Sequence, residues 1–127
     1  MMPAKSALQR YFESFGIFSD EEICNTLDLF TVRSLKKSEL FVSQGQACTE
    51  IGFITSGICR SFYLSEKGEE ITYCFRFPGE FMVAYSSFIT GQGSLEDIQA
   101  LSTTELLVIS KTDVDRLAAC HTQCDGV

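Results

Sequence analysis

Residues 45–91 read GQACTEIGFITSGICRSFYLSEKGEEITYCFRFPGEFMVAYSSFITG, and this stretch decides the fold. Gly45, Gly57, Gly68, Gly79 and Gly91 fall 11 or 12 residues apart. Each sits in a polar or proline-containing context: Gln44-Gly45-Gln46, Ser56-Gly57, Glu66-Lys67-Gly68-Glu69, Pro78-Gly79-Glu80 and Thr90-Gly91-Gln92. Glycine supplies the positive φ that tight turns require. Between the glycines the apolar period is two. Ile51 and Phe53 flank Gly52. Ile58, Arg60, Phe62 and Leu64 alternate with Cys59, Ser61 and Tyr63. Ile71, Tyr73, Phe75 and Phe77 alternate with Thr72, Cys74 and Arg76. Such alternation predicts strands with one face buried. Short strands separated by turns at this spacing indicate an antiparallel sandwich, jelly roll or barrel. A loose, loop-rich domain gives no reason for the alternation.

Outward from this stretch the period changes. Leu8, Tyr11, Phe12 and Phe15 recur at helical spacing and Gly16 follows as a stop, predicting a helix from Ser6 to Phe15. Ser19-Asp20-Glu21-Glu22 has the form of a capping box, with Ile23, Thr26, Leu27 and Phe30 continuing a helical face. A second helix is expected from about Asp20 to Leu29, so helices occupy about 6–29 and the roll about 31–109. Leu106-Leu107-Val108-Ile109 is continuously apolar and reads as a last strand buried on both faces. Ser110-Lys111-Thr112-Asp113 is another capping pattern. It opens a closing helix over about 111–119 with Val114, Leu117 and Ala118 on its apolar side. The expectation is one mainly β domain with flanking helices spanning 1–127, and no DNA-binding domain in this chain.

Composition narrows the function. The 127 residues are 45 % apolar, with eleven Phe and no Trp, enough for one core. The net charge is −7, and Lys36-Lys37 is the only adjacent basic pair. Nucleic-acid binding draws on clustered Lys and Arg, so no direct nucleic-acid contact is expected. The start, Met1-Met2-Pro3-Ala4-Lys5-Ser6, lacks the apolar run of about 7–15 residues of a secretion signal. Nor does any run approach the roughly 18 apolar residues of a membrane span. Cys24, Cys48, Cys59, Cys74, Cys120 and Cys124 therefore read as reduced thiols of a cytoplasmic protein, with no membrane partner. Cys59 and Cys74 point to one face of their strands and are candidate neighbours. His121 is the only histidine, which excludes a His-based metal site, and the scattered cysteines do not suit an iron–sulfur cluster. No Gly-x-Ser-x-Gly elbow is present. No catalytic residues, metal or cofactor are expected.

Four segments carry a family resemblance. Leu35-Lys36-Lys37-Ser38-Glu39-Leu40-Phe41-Val42-Ser43-Gln44-Gly45, Ile51-Gly52-Phe53-Ile54-Thr55-Ser56-Gly57, Phe77-Pro78-Gly79-Glu80-Phe81 and Glu105-Leu106-Leu107-Val108-Ile109-Ser110 occur in order. Together they resemble the sensor domain of Crp/Fnr-type (catabolite-activator) regulators, and cyclic-nucleotide-binding domains generally, over roughly residues 27 to 117. Glu70-Ile71-Thr72 and Tyr85-Ser86-Ser87-Phe88 are in the style of regulators from Bacteroidetes-type bacteria. The resemblance implies a double-stranded β-helix, jelly-roll-like, with a ligand pocket at Phe81, Met82, Val83, Ala84, Tyr85, Ser86 and Ser87, then Ser94, Leu95 and Glu96.

In the family that pocket carries a Gly-Glu pair and an Arg-Ser/Thr-Ala triplet, which hold the ribose and the cyclic phosphate. Here Val83 and Ala84 stand at the pair, and Ser94-Leu95-Glu96 at the triplet, with Asp97 next. No Arg occurs between Arg76 and Arg116. Weak or absent cAMP binding is expected. Tyr85, Ser86, Ser87, Ser94 and Glu96 suit a neutral or cationic small molecule better than an anion. Equally, the hydroxyls could satisfy one another and line a collapsed pocket. Two functions stand: the ligand-sensing domain of a transcription regulator, whose closing helix moves on binding, or a stand-alone interaction module on the same fold. The family dimerises through a long helix after the roll. This chain ends soon after Leu117, so a homodimer would need another surface, with Val114 and Leu117 as candidates.

Overall fold

The computed structural model describes residues 3–16 and 19–124, with side chains described over 8–16 and 19–117. Helix α1, Pro3–Glu13, opens on a proline, which suits a first helical turn. It starts before the expected Ser6 and stops short of Phe15, where the Ser14 hydroxyl donates to the Tyr11 carbonyl at 2.6 Å and Gly16 takes φ 68°. Helix α2, Asp20–Leu27, begins at the capping box read from the sequence. Ser19 Oγ accepts from the Glu22 N–H at 3.1 Å, and Glu22 Oε1 accepts from the Ser19 N–H at 2.8 Å.

Eight strands follow among the described residues: β1 Thr31–Leu35, β2 Leu40–Val42, β3 Glu50–Ser56, β4 Cys59–Leu64, β5 Glu70–Arg76, β6 Phe81–Met82, β7 Asp97–Ala100 and β8 Thr104–Ser110. They form two four-stranded sheets, ordered β1-β8-β3-β6 and β2-β7-β4-β5, with every named pair antiparallel. All five regularly spaced glycines hold positive φ, between 80° and 96°. Gly57 is the most constrained: a Cβ there would lie 2.4 Å from Thr104 Oγ1 and 2.7 Å from the Thr103 carbonyl oxygen.

The apolar run of β8 divides between two cores. Leu106 and Val108 join Leu35, Val42, Ile54, Met82 and Ile98 inside the roll. Leu107 and Ile109 join Leu8, Ile23, Leu27, Phe30 and Phe53 under the N-terminal helices. A central strand covered on both faces has no polar face, which is why the alternation stops there.

Helix α4, Lys111–Cys124, keeps half of its capping pattern. Ser110 Oγ accepts from the Asp113 N–H at 3.2 Å, while the Asp113 carboxylate faces Arg116 Nη1 at 3.7 Å. Val114 and Leu117 are half-buried against the cores rather than forming an exposed patch. The side chains of Ala118, Cys120, His121 and Cys124 lie outside the described residues.

Two features depart from the sequence expectation. Residues Tyr85–Thr90 form a short helix, α3, ended by Gly91 in the left-handed conformation. Its hydroxyl, aromatic and β-branched residues have no strong helical preference. Ile71, Tyr73 and Phe75 on β5, and Phe77 just after it, are exposed rather than buried. This strand pairs only with β4, at the edge of its sheet. A register shift also inserts Tyr73 between the pairs Ser61↔Cys74 and Phe62↔Thr72. Such a bulge breaks the simple alternation of faces. Cys59 lies opposite Arg76, and Cys74 opposite Ser61. The two thiols are therefore diagonal neighbours, a relation with a typical separation of roughly 7–8 Å, too long for a disulfide.

Candidate ligand site

The site is built on the turn that leads into β6. Gly79 donates its N–H to the Ile54 carbonyl at 2.8 Å, and the Ile54 N–H reaches the Glu80 carbonyl at 3.0 Å. The Glu80 carboxylate accepts the Phe77 N–H at 2.6 Å, so it is occupied in holding the turn. β6 then pairs Phe81 with Phe53 and Met82 with Gly52. Alternation sends the two side chains to opposite faces. Phe81 stacks edge-on against Phe53 and Tyr11, with ring centroids 4.9 and 5.2 Å away, on the helix side of the sheet. Met82 enters the roll, over Gly52. Val83 packs against the roll core and Ala84 lies within it.

Ala84 offers α3 no side-chain cap. Ser87 turns inward from the helix. Its Oγ accepts the Cys48 N–H at 2.8 Å and donates to the Gln92 carbonyl. One serine thus ties α3 to the β2–β3 connection and to the loop that follows the helix. Tyr85, Ser86 and Leu95 face solvent.

The segment before β7 crosses the segment after β2 at close range. A Cβ on Gly93 would meet the Gly45 carbonyl oxygen at 2.6 Å. The Gly45 N–H donates to Ser94 O at 2.8 Å, and the Ser94 N–H donates to Gln46 O at 2.8 Å. The buried Ser94 hydroxyl accepts the Glu96 N–H at 3.1 Å and donates to the Glu96 carbonyl at 2.7 Å. Asp97 accepts the Gln44 N–H.

This crossing places the Glu96 carboxyl beside Ser61, which is buried on β4. Cross-strand partners share a face, so Ser61 lies on the concave side with Cys59, Cys74, Ile98 and Ala100. Glu96 Oε2 is buried and has no hydrogen-bond partner among the described residues. Burial pushes the Glu96 carboxyl above the usual carboxylate range, and the Ser61 hydroxyl partly offsets this. Among the described residues no ion pair reaches Glu96. Arg60 is on the opposite face, bonded to Gln99, Thr72 and Glu70 and lying 4.0 Å over the Phe62 ring.

Of the residues expected at the pocket, Met82, Val83, Ala84, Ser87, Ser94 and Glu96 turn toward the roll. Phe81 goes to the other face of its sheet, and Tyr85, Ser86 and Leu95 to solvent. Ser61 was not among the expected residues. The available sequence signal was its period-two spacing from Cys59, which puts the two on one face of β4, and the structure makes that face the inner one. Among the described residues no three His, Cys, Asp or Glu side chains form a group that could hold a metal ion. No described helix is long and apolar enough to cross a membrane.

Comparison with known proteins adds three relatives and one family. The model of the cyclic nucleotide-binding domain matches residues 32–121. The transcriptional activator protein Anr of Pseudomonas protegens is 35 % identical over 86 residues, which make up 68 % of this chain and 34 % of Anr. The catabolite activator protein of Thermus thermophilus superposes with a TM-score of 0.75 at 24 % identity, covering 85 % of this chain and 50 % of that one. A regulatory subunit of a cAMP-independent protein kinase A from Trypanosoma cruzi, bound to guanosine, gives 0.72 at 13 % identity, covering 90 % and 43 %. The chain thus spans about a third of the length of its curated relative.

Proposed function

The chain belongs to the cyclic nucleotide-binding domain family, as a regulatory domain of the Crp/Fnr type, and from that premise we propose that its effector is a small molecule other than a cyclic nucleotide. The observation that carries the proposal is the enclosed, unpartnered Glu96 oxygen in the segment that corresponds to the family's arginine triplet. A cyclic phosphate seated there would face a carboxylate instead of a guanidinium. A close charged hydrogen bond whose partner is left unpaired is worth about 2–5 kcal/mol. Its loss alone weakens binding by roughly 30-fold to several thousand-fold. Val83 and Ala84 offer no acceptor to a ribose hydroxyl.

In this reading the roll is a sensor without a catalytic step or cofactor. It sits in the cytoplasm, α4 transmits the bound state, and DNA is contacted by another part of the regulator. A homodimer would need a surface other than Val114 and Leu117, which pack against the cores, and light scattering across a concentration series reads whether one forms. A second reading, a ligand-free interaction module, is favoured by Ser87 and Ser94, which spend their hydroxyls on backbone groups. Titration calorimetry with millimolar cAMP and cGMP tests the proposal. No saturable heat is expected, and a micromolar dissociation constant for either overturns it.

A further inference from the structure

Glu96 Oε2 is the one buried side-chain nitrogen or oxygen among the described residues that lacks a partner. The nearby buried hydroxyls of Ser87 and Ser94 are hydrogen-bonded to backbone groups. An interior carboxylate oxygen without a donor is costly and calls for an explanation. We propose that Glu96 is the recognition group for the effector, and that the effector presents a positively charged nitrogen donor to it. This rests on the reading of the roll as an effector sensor.

Two observations favour a cation over a neutral donor. Among the described residues Glu96 forms no ion pair with a lysine or arginine. The chain as a whole carries −7. A bond between an ionised carboxylate and a protonated nitrogen is about twice as strong as a neutral one. Ser61, buried beside Glu96, supplies a neutral contact on the concave face. Glu96 is only partly buried and lies between the exposed Leu95 and the start of β7, at the rim of the roll.

The probes are benzamidine, a flat amidinium, and benzoate, its anionic counterpart of similar shape. Amide ¹H–¹⁵N shifts of the whole chain are followed during titration. Saturable shifts at Ser61 and Glu96 are expected with benzamidine and none with benzoate. Glu96→Gln should weaken benzamidine at least tenfold while the chain stays folded. Glu96→Asp, which keeps the charge, should retain more of the binding than Glu96→Gln. The inference is overturned by equal benzamidine binding in Glu96→Gln, by equal binding of benzoate, or by no saturable benzamidine shift, the result if a proton or a water is all that Oε2 takes. Those outcomes leave the sensor reading standing. Micromolar cAMP binding in the separate calorimetric titration would instead remove that reading.

Discussion

Replacing Glu96 with Gln should stabilise this protein at neutral pH and do nothing at acid pH. The folded carboxyl titrates above its ordinary value, chiefly because of burial. A raised carboxyl favours the protonated form in the fold, so ionisation opposes folding. The cost is absent below the unfolded value of about 4.3, grows as pH rises, and is complete above the folded value. Its size follows from the enclosed Oε2 atom. Taking the ionised form out of water costs more than taking out the neutral acid or an amide, by about 1 kcal/mol for a group that is only half-buried. Glu96→Gln removes the ionisation and leaves a neutral amide of nearly the same shape. A gain of about 1 kcal/mol is expected at pH 7, or roughly 3–5 °C in Tm for a chain of this length. Urea or thermal unfolding followed by circular dichroism, at pH 7 and pH 4, reads this directly. A stability difference that is the same at both pH values, or a Glu96→Gln protein less stable than wild type at pH 7, refutes the reasoning.

Further outcomes follow from the packing. Gly57→Ala combines a φ of 96° with a Cβ 2.4 Å from Thr104 Oγ1, and should cost about 3–5 kcal/mol. Gly68→Ala, at φ 82° with open space around it, should cost only about 1–2 kcal/mol; equal urea midpoints for the two variants would contradict the close-contact argument. Ser87→Ala leaves the Cys48 N–H without its acceptor and should cost about 1–3 kcal/mol, with faster hydrogen exchange at that amide as its signature. Leu107→Ala empties a site that is fully buried under α1 and α2, and should cost about 2–5 kcal/mol by denaturant titration.

Much of the frame was legible because its causes are local. Ser19 and Glu22 close a capping box whatever lies around them. Gly45, Gly57, Gly68, Gly79 and Gly91 mark turns because a positive φ is cheap for glycine alone. The unbroken run Leu106 to Ile109 signalled a strand with a core on each side, and it has one on each side. Less was legible where short segments meet. Helix α3 has weak propensity, is anchored by Ser87 to residues distant in the chain, and did not stand out in the sequence.

The sequence by itself determined an antiparallel roll flanked by helices, through period-two alternation, spaced glycines and capping residues. It also determined that the pocket segment carries a carboxylate and no guanidinium. Only the tertiary structure decided which way each side chain faces. β6 pairs in a register that sends Phe81 to Tyr11 and Met82 to the roll. A bulge at Tyr73 and an edge position leave the apolar residues of β5 outside. The close crossing of Gly45 and Gly93 turns Glu96 onto Ser61 with one oxygen unpaired. Burial and pairing depend on contacts between residues far apart in the chain, and no local pattern encodes them.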